Sequence, residues 1–469
     1  MTDTPDRVIG SRLELFVNDG FIDRLDGAHL RLHHPERREV VFEADAAWED
    51  NVAGFKSLVQ DGGSVRLYYR AAIPDREDED LQRIALAEST DGGLSFTRPN
   101  LGLVEFEGSR DNNLLAVQSA PRIPPAFLDT NPDCDPDARY KGLSSAWRKL
   151  YALGSPDGLR WHLLQDNPIE MSGTFDTINT AFWDALAGHY RCYTRYFEGL
   201  GEQDEEDLLG AEATPVRAIQ SATSLDCVNW TPPKTNRYID GRRDVQLYTN
   251  AVVPCPGAEH ILLSFPNRYV QDRVPQPDHP YPGVNDALFM ASRDGVTWTR
   301  YLDAWVRPGL DPLNWTDRNN YPTWGLVQTS ATEWSLYISE HYRHATARPR
   351  LRRLSVRPHG FVSLHADYRG GECVTEPLSF ATPRREAGPF ALHLNASTSA
   401  AGSIRVEIQD EEGAPLPGYT LADADPWYGD SLDAMMTWRG KRDLGALVDR
   451  PIRLRFRLAD ADVFALQVR

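Results

Sequence analysis

Residues 292–298 read Ser-Arg-Asp-Gly-Val-Thr-Trp, and the same short pattern returns along the chain at a nearly fixed interval. Residues 89–96 (STDGGLSF), 155–161 (SPDGLRW) and 224–230 (SLDCVNW) are the other copies, their opening serines about 66, 69 and 68 residues apart. One more step from Ser292 reaches a degraded fifth copy, RPHGF, at residues 357–361. In each copy Asp or Gly makes a tight turn, Ser and Asp side chains bond the turn's own backbone, and an aromatic packs under it. A single turn of this kind is common in any β protein. Copies at an even spacing mark the same hairpin in successive four-stranded blades, and five intervals predict a five-bladed β-propeller.

The periods between the turns repeat one order: a polar cluster, an apolar strand, a turn, an aromatic strand ending in a charged residue, a loop and a further strand. The second period, interrupted by prolines at residues 121–125, is the loosest. Ahead of the first, LELFVND and EVVFEAD within residues 11–45 are short extended runs expected to supply an outer strand and help close the ring. Beyond about residue 375 the period stops, and FALHLNAS, GSIRVEIQD and the C-terminal run alternate as half-buried antiparallel strands do. The expectation is therefore an all-β chain of two domains, a propeller over residues 1–372 and a β-sandwich over 373–469, the latter more a buttress than a sugar-binding module.

A formal charge of -18 at pH 7 argues against nucleic acid or an anionic membrane as partner, since both require a basic surface. The acidity is partly local, in DREDED at residues 75–80 and EQDEED at 202–207, which read as solvated loops. The five cysteines are an odd number without paired spacing, which fits neither a disulfide framework nor a zinc site, so no metal and no cofactor is expected. The N-terminal residues lack the basic and apolar regions of an export signal, and no apolar run reaches membrane-spanning length. A cytoplasmic protein is the expectation, with self-association left open.

If strands run up and down in each blade, the starts of the first strands and the ends of the second strands share one face, and the Ser/Asp turns lie on the other. The clusters expected to open the innermost strands hold Trp48, Asp50, Arg110, Asp111, Asn113, Asp176, Asn179, Tyr248, Asn250, Asp317 and Arg318, and the second-strand ends add Arg70, Arg195, Arg268, Glu340 and His341. Converging on an axis, these would line a central funnel. Carboxylates and amides bond sugar hydroxyls, aromatic faces such as Trp48 or Trp324 cover the apolar face of a sugar ring, and a carboxyl pair can carry glycosidic cleavage. The arginines read either as neutralising the aspartates or as binding a carboxylate or sulfate on the sugar.

With these clusters in place, the sequence resembles the five-bladed propeller glycosidases of glycoside hydrolase families 32, 43 and 68, and most of all a bacterial family 32-like group. The resemblance covers residues 11–370 and extends in architecture to the C-terminal domain. It implies a nucleophile or base at Asp50 and a transition-state-stabilising acid at Asp111, where Arg110-Asp111 is similar to the family's Arg-Asp-Pro element. The departures are that Asn112 stands where a Pro would and that the third position holds Asp176 rather than Glu. The general acid is thereby open between Asp176 and Glu340, with His341 a lesser candidate. The repeated turn is also similar to the Asp box of sialidases, a likeness limited to the turn. The implied activity is exo-acting hydrolysis of a short oligosaccharide or glycoside, furanosides included. The alternatives are a uronate-directed lyase using His341 or a Tyr as base, and a non-catalytic sugar-binding propeller.

Overall fold

The computed structural model describes residues 7–71, 84–117, 125–146, 149–198, 215–380 and 390–469. The acidic runs at 75–80 and 202–207, and residues 121–124 of the proline stretch, lie outside the described residues. The described residues are nearly all strand, turn or loop, and no helix among them is long and apolar enough to cross a membrane. Two compact units form, one of residues 35–255 and 259–356, the other of residues 1–34, 256–258 and 357–469.

The first unit is a five-bladed β-propeller. Blade 1 has the strands Gly54–Asp61, Ser64–Arg70 and Ile84–Ser89, with Leu114 bridging the outer edge at Ala85. Blade 2 runs Ala126–Leu128, Tyr140–Ala146, Lys149–Ser155 and Arg160–Leu163. Blade 3 runs Thr180–Asp184, His189–Glu198, Val216–Ser224 and Lys234–Thr235. Blade 4 is built on Val252–Cys255, Ala258–Ser264, Val284–Ser292 and Thr297–Val306, with Asn267–Val270 continuing its second strand against the third. Blade 5 takes Val327–Ser330, Glu333–Glu340 and Arg350–Val356 from late in the chain and Glu36–Glu43 from its beginning. EVVFEAD thus supplies the closing outer strand, as expected.

The repeated turns are capped as their composition dictates. Ser292 Oγ donates to Asp294 and accepts from the Gly295 N–H, while Asp294 Oδ1 accepts the N–H groups of Val296 and Thr297. Ser89–Asp91 and Ser155–Asp157 repeat these contacts, and Ser224–Asp226 keeps the serine-to-aspartate bond and the aspartate cap while Ser224 Oγ accepts from the Asp226 N–H. Burial raises the Asp91 and Asp226 carboxyls, but the donors around each outweigh it and pull both down to about 2. The turns also latch neighbouring blades: Tyr337 of blade 5, Tyr68 of blade 1 and Tyr193 of blade 3 donate to the carbonyls of Gly93, Gly158 and Gly295 in the turns of the following blade. Among the described residues no tyrosine reaches the blade 3 turn, and there the glycine is replaced by the fully buried Cys227.

Two expectations are corrected by the strand pairing. The run LELFVND does not help close the ring: Glu14–Leu15 pairs with Leu466 and Ala465 at the C-terminus. The boundary does not fall at residue 372, because Ile22–Asp26 and Ala28–Leu32 pair with Gly371–Thr375 and Val362–Ala366 and so belong with the C-terminal strands. The degraded fifth turn likewise lies in this second unit, closed by Gly360 N–H to the Arg357 carbonyl. The unit's eight-stranded sheet has Leu392–Gln409 and Arg453–Val468 side by side, and its core includes Phe16, Phe21, Leu364, Trp438 and Phe456. All five cysteines are free thiols.

Candidate functional site

All five blades contribute to one cavity of about 140 Å³ on the propeller axis. Blade 1 brings Phe55, Lys56 and Arg70; blade 2 brings Leu143, Ser144 and Ser145. Asp176 and Asn179 come from the segment opening blade 3, Tyr248 from that opening blade 4, and Arg318, Tyr321, Ser339 and Tyr342 from blade 5. Among the described residues a larger groove of about 940 Å³ lies between residues 165–173 and the outer strands of blade 3. It is lined by one carboxylate, Glu170, and no cationic side chain, so the reactive groups are gathered at the axis.

The Tyr342 phenol lines the cavity from blade 5. It accepts from Arg70 Nη2 at 2.5 Å and from Arg318 Nη1 at 3.4 Å, and the Tyr342 backbone N–H donates to Asn319 Oδ1 at 2.9 Å. Burial by itself would raise the phenol, but the charges of Arg70, Arg318 and Arg343, with the hydrogen bond from Arg318, outweigh it and pull the pKa down to about 8. The backbone here is bent by left-handed residues on both sides: Arg318 and Asn320 at φ 54° and 58°, His341 and Arg343 at φ 63° and 59°. Such conformations cost of order 1 to 3 kcal/mol each in non-glycine residues and persist where the surroundings fix them. Asn285 does so here, accepting from the Arg318 N–H on its side chain and from Asn320 Nδ2 on its carbonyl.

Around the phenol stand groups suited to hydroxyls. Asn179 is 1% exposed, and its Nδ2 donates to the carbonyls of Phe175 and Thr177, leaving Oδ1 without a protein partner among the described residues. The Tyr321 hydroxyl is buried and likewise without one. Tyr248 is flanked by Arg195, Arg217 and Arg318, whose guanidinium carbons lie 4.9, 5.4 and 5.8 Å from its ring centroid. Asp176, with a side chain 54% exposed, is the one carboxylate lining the cavity among the described residues, and Arg195 donates to it from behind. Asp317 stands back from the cavity, 3.7 Å from both Arg318 Nε and Arg343 Nη1. Burial raises its carboxyl against the lowering charges of Arg343, Arg318 and His279. It orients the two arginines that face the phenol.

Of the residues singled out in the sequence, Asp176, Asn179, Arg70, Tyr248 and Arg318 line the cavity together, with Arg195 and Asp317 directly behind them. Others are placed elsewhere. Asp50 is exposed in the loop before blade 1 and accepts the N–H of Asn51. Arg110 and Asp111 are exposed on the outer side of blade 1, Asp111 bonded to Asn100, because blade 2 begins at Ala126 and residues 113–115 edge blade 1 instead. Trp48 and Asn113 bond each other at 2.7 Å and pack there with Tyr69 and Phe106. Glu340 is fully buried against Arg37, Arg350 and Arg352; burial raises its carboxyl, but the arginine hydrogen bonds and charges bring it below its ordinary value, the opposite of what a general acid requires. His341 bonds Asp311 at 2.7 Å. Arg268 forms a two-pronged pair with Asp286, Asn250 ties blades 3 and 4 through Thr180, Ile178 and Tyr193, and the Trp324 indole donates to Val252 across blades 4 and 5.

Lys56, Tyr321, Tyr342 and Arg343 were not singled out as site residues. The available signal is the string Ser-Glu-His-Tyr-Arg-His at residues 339–344, the only second-strand end in which a histidine and an arginine flank a tyrosine. Among the described residues no group of three or more His, Cys, Asp or Glu side chains is arranged to hold a metal ion.

The fold and site together define a five-bladed propeller with a cavity on its axis lined by arginine and tyrosine side chains. No protein-family model matches the sequence, and no curated protein matches it. Among solved structures the chain is similar to a fructofuranosidase from Schwanniomyces occidentalis complexed with fructosylnystose, at 9% identity and TM-score 0.40, over 92% of this chain and 96% of the other. It is also similar to an α-L-arabinofuranosidase from Fusarium graminearum, at 11% identity and TM-score 0.39, over 70% and 98%. An N-acetylgalactosamine deacetylase from F. plautii, in complex with blood group B trisaccharide, is similar at 11% identity and TM-score 0.41, over 70% and 95%.

Proposed function

We propose that this chain is a glycoside hydrolase that takes one terminal ring of a short oligosaccharide or glycoside into the axial cavity. The observation that carries the reading is the Tyr342 phenol, held by Arg70 and Arg318 in a cavity that also offers Asp176, Asn179 and the Tyr248 face. A sugar ring needs an apolar face, acceptors and donors for its hydroxyls, and a reactive group at its anomeric carbon. Tyr248 supports the first need; Asn179 Oδ1, Ser144, Ser145 and the Tyr321 hydroxyl support the second. For the third, the Asp176 carboxylate, paired with Arg195, attacks the anomeric carbon as the glycosidic C–O bond breaks, and the leaving oxygen takes its proton from the Tyr342 phenol. Water then attacks the same carbon, gives its proton to the Tyr342 phenolate and releases the Asp176 carboxylate.

Elimination is the second reading, favoured by the arginines around the phenol: the ionised Tyr342 takes the C5 proton beside a uronate carboxylate, the C4–O glycosidic bond breaks as the C4=C5 double bond forms, and the leaving oxygen takes its proton from water. Assay of aryl glycosides and oligosaccharides, with product analysis, separates the two by the presence of an ultraviolet-absorbing unsaturated sugar. Tyr342→Phe and Asp176→Asn are each expected to lower kcat by about 10² to 10⁴, and Asp111→Asn to leave it unchanged. Full activity in Tyr342→Phe removes the proposed chemistry, and tight sugar binding with no turnover makes the propeller a binding module.

A further inference from the structure

Arg70 and Arg318 come from blades 1 and 5, yet both donate to one atom, the Tyr342 hydroxyl oxygen. Two guanidinium groups converging on one point are the geometry that grips a single oxyanion. What they grip here is a phenol, which is neutral over most of the physiological range and a weak counter-charge.

Elsewhere in the propeller arginines meet acids closely: Arg268 stands 2.5 Å from Asp286, and Arg37, Arg350 and Arg352 surround Glu340 at 2.9, 2.7 and 2.8 Å. At the axis this pairing lapses. Among the described residues Arg70 forms no ion pair, its Nε and Nη2 donating instead to the Val52 carbonyl, and Arg318 has only Asp317 at 3.7 Å, which it shares with Arg343. Among the described lining side chains Arg70 and Arg318 stand with a single carboxylate, Asp176, which Arg195 already neutralises. Among the described residues the lining therefore holds more arginine than free carboxylate charge. That the arginines serve only to neutralise aspartates does not fit this arrangement, since Asp50 and Asp111 are exposed elsewhere. A second, independent feature points to a ligand: Asn179 Oδ1, 1% exposed, is an acceptor without a protein partner among the described residues in the same cavity.

Resting on the reading of the axial cavity as a sugar site, we propose that its ligand is a sugar ring bearing one oxyanion, a carboxylate or a sulfate ester, gripped between Arg70 and Arg318. The neutral part of the ring then meets Asn179 and Tyr248.

Isothermal titration of the full chain, at fixed ionic strength, with glucuronate, galacturonate, glucose 6-sulfate and their neutral parent sugars tests this. Acidic sugars are expected to bind at least about tenfold tighter than the neutral ones, and the uronates against the sulfate identify which oxyanion is taken. Arg318→Gln is expected to abolish the preference. Should that variant fail to fold, Arg70→Gln is expected to reduce it several-fold. Neutral sugars bound as tightly as acidic ones overturn the proposal, and so does inorganic sulfate or acetate matching the acidic sugars. Cleavage of neutral aryl glycosides without preference for acidic ones sinks this inference while keeping the hydrolase. Acid-selective binding without turnover does the reverse.

Discussion

Tyr342 sits where two opposing effects can be weighed: burial disfavours its anion, and three guanidinium groups favour it more. With its pKa near 8 in the folded chain and 10 as the ordinary value, losing the proton is easier folded than unfolded. The stability this contributes is fully present above pH 10, falls away as pH drops through about 8, and is absent below. Of the chain's 18 tyrosines, the other described ones with a resolved shift, such as Tyr68, Tyr140, Tyr193 and Tyr337, are pushed upward, chiefly by burial. A spectrophotometric titration should therefore show a phenolate step of about one tyrosine centred near pH 8, and Tyr342→Phe should remove it. An unchanged step in the variant would assign it to another residue and leave the cavity without an activated phenol. The sequence could place Arg70, Asp176, Asn179, Tyr248 and Arg318 at the axis because each lies next to a strand end, where alternation of strand direction fixes the face. It could not place Tyr342, because positive φ at His341 and Arg343 turns the chain after the strand has ended, and no periodicity foretells that.

At the scale of the element, the Ser/Asp turns were legible because everything that makes them is local: a side chain capping amides two to four residues on, and a glycine with positive φ. Blade 2 was not, because pairing of residues 113–115 with blade 1 is decided by packing between distant strands and moves Asp111 to the outside. The latch between Tyr337 and the blade 1 turn gives the turn glycine a second task. Gly93 has φ 98°, and a Cβ there would overlap the Tyr337 hydroxyl, whereas the ring carbon bearing that hydroxyl stands 3.5 Å off. Tyr337→Phe should cost about 1 kcal/mol, and more if the buried Gly93 carbonyl finds no other donor. Gly93→Ala should cost over about 2 kcal/mol, from the left-handed backbone and the overlap together. Because removing the hydroxyl relieves the overlap, the double variant should lose at least about 0.5 kcal/mol less than the sum of the two. Strict additivity in urea unfolding would mean that the glycine and the tyrosine do not share this contact.

Across the whole propeller, a cavity assembled from all five blades exists only while the ring is closed, and the seam is made by strands far apart in the sequence. Glu36–Glu43 forms the outer strand of blade 5 against Arg350–Val356, and the Trp324 segment is bonded to Lys56 and Leu58 on the inner strand of blade 1. The closing strand is readable from its alternation and its place before the first turn; the strands preceding it belong to the other unit, a division that local pattern does not reveal. Phe42 holds the seam: it is buried among Phe55, Leu67, Tyr69, Tyr337 and Leu351, with its ring centroid 5.1 Å from that of Tyr69 and the Arg98 guanidinium 4.4 Å over its face. Phe42→Ala should therefore destabilise the propeller by about 3 to 5 kcal/mol, the cost of emptying a packed aromatic site. Leu186→Ala, at a position 68% exposed, should stay within about 0.5 kcal/mol. The sharper expectation concerns the axis, since Phe42 is not among the cavity's lining residues. As urea is raised on the variant, ligand binding at the cavity should vanish at the same lowered midpoint as the propeller's tryptophan fluorescence, because opening one seam disperses residues drawn from every blade. Binding that outlasts the fluorescence transition would mean that the cavity survives an open ring, and that the blades around Tyr342 are held by contacts other than this closure.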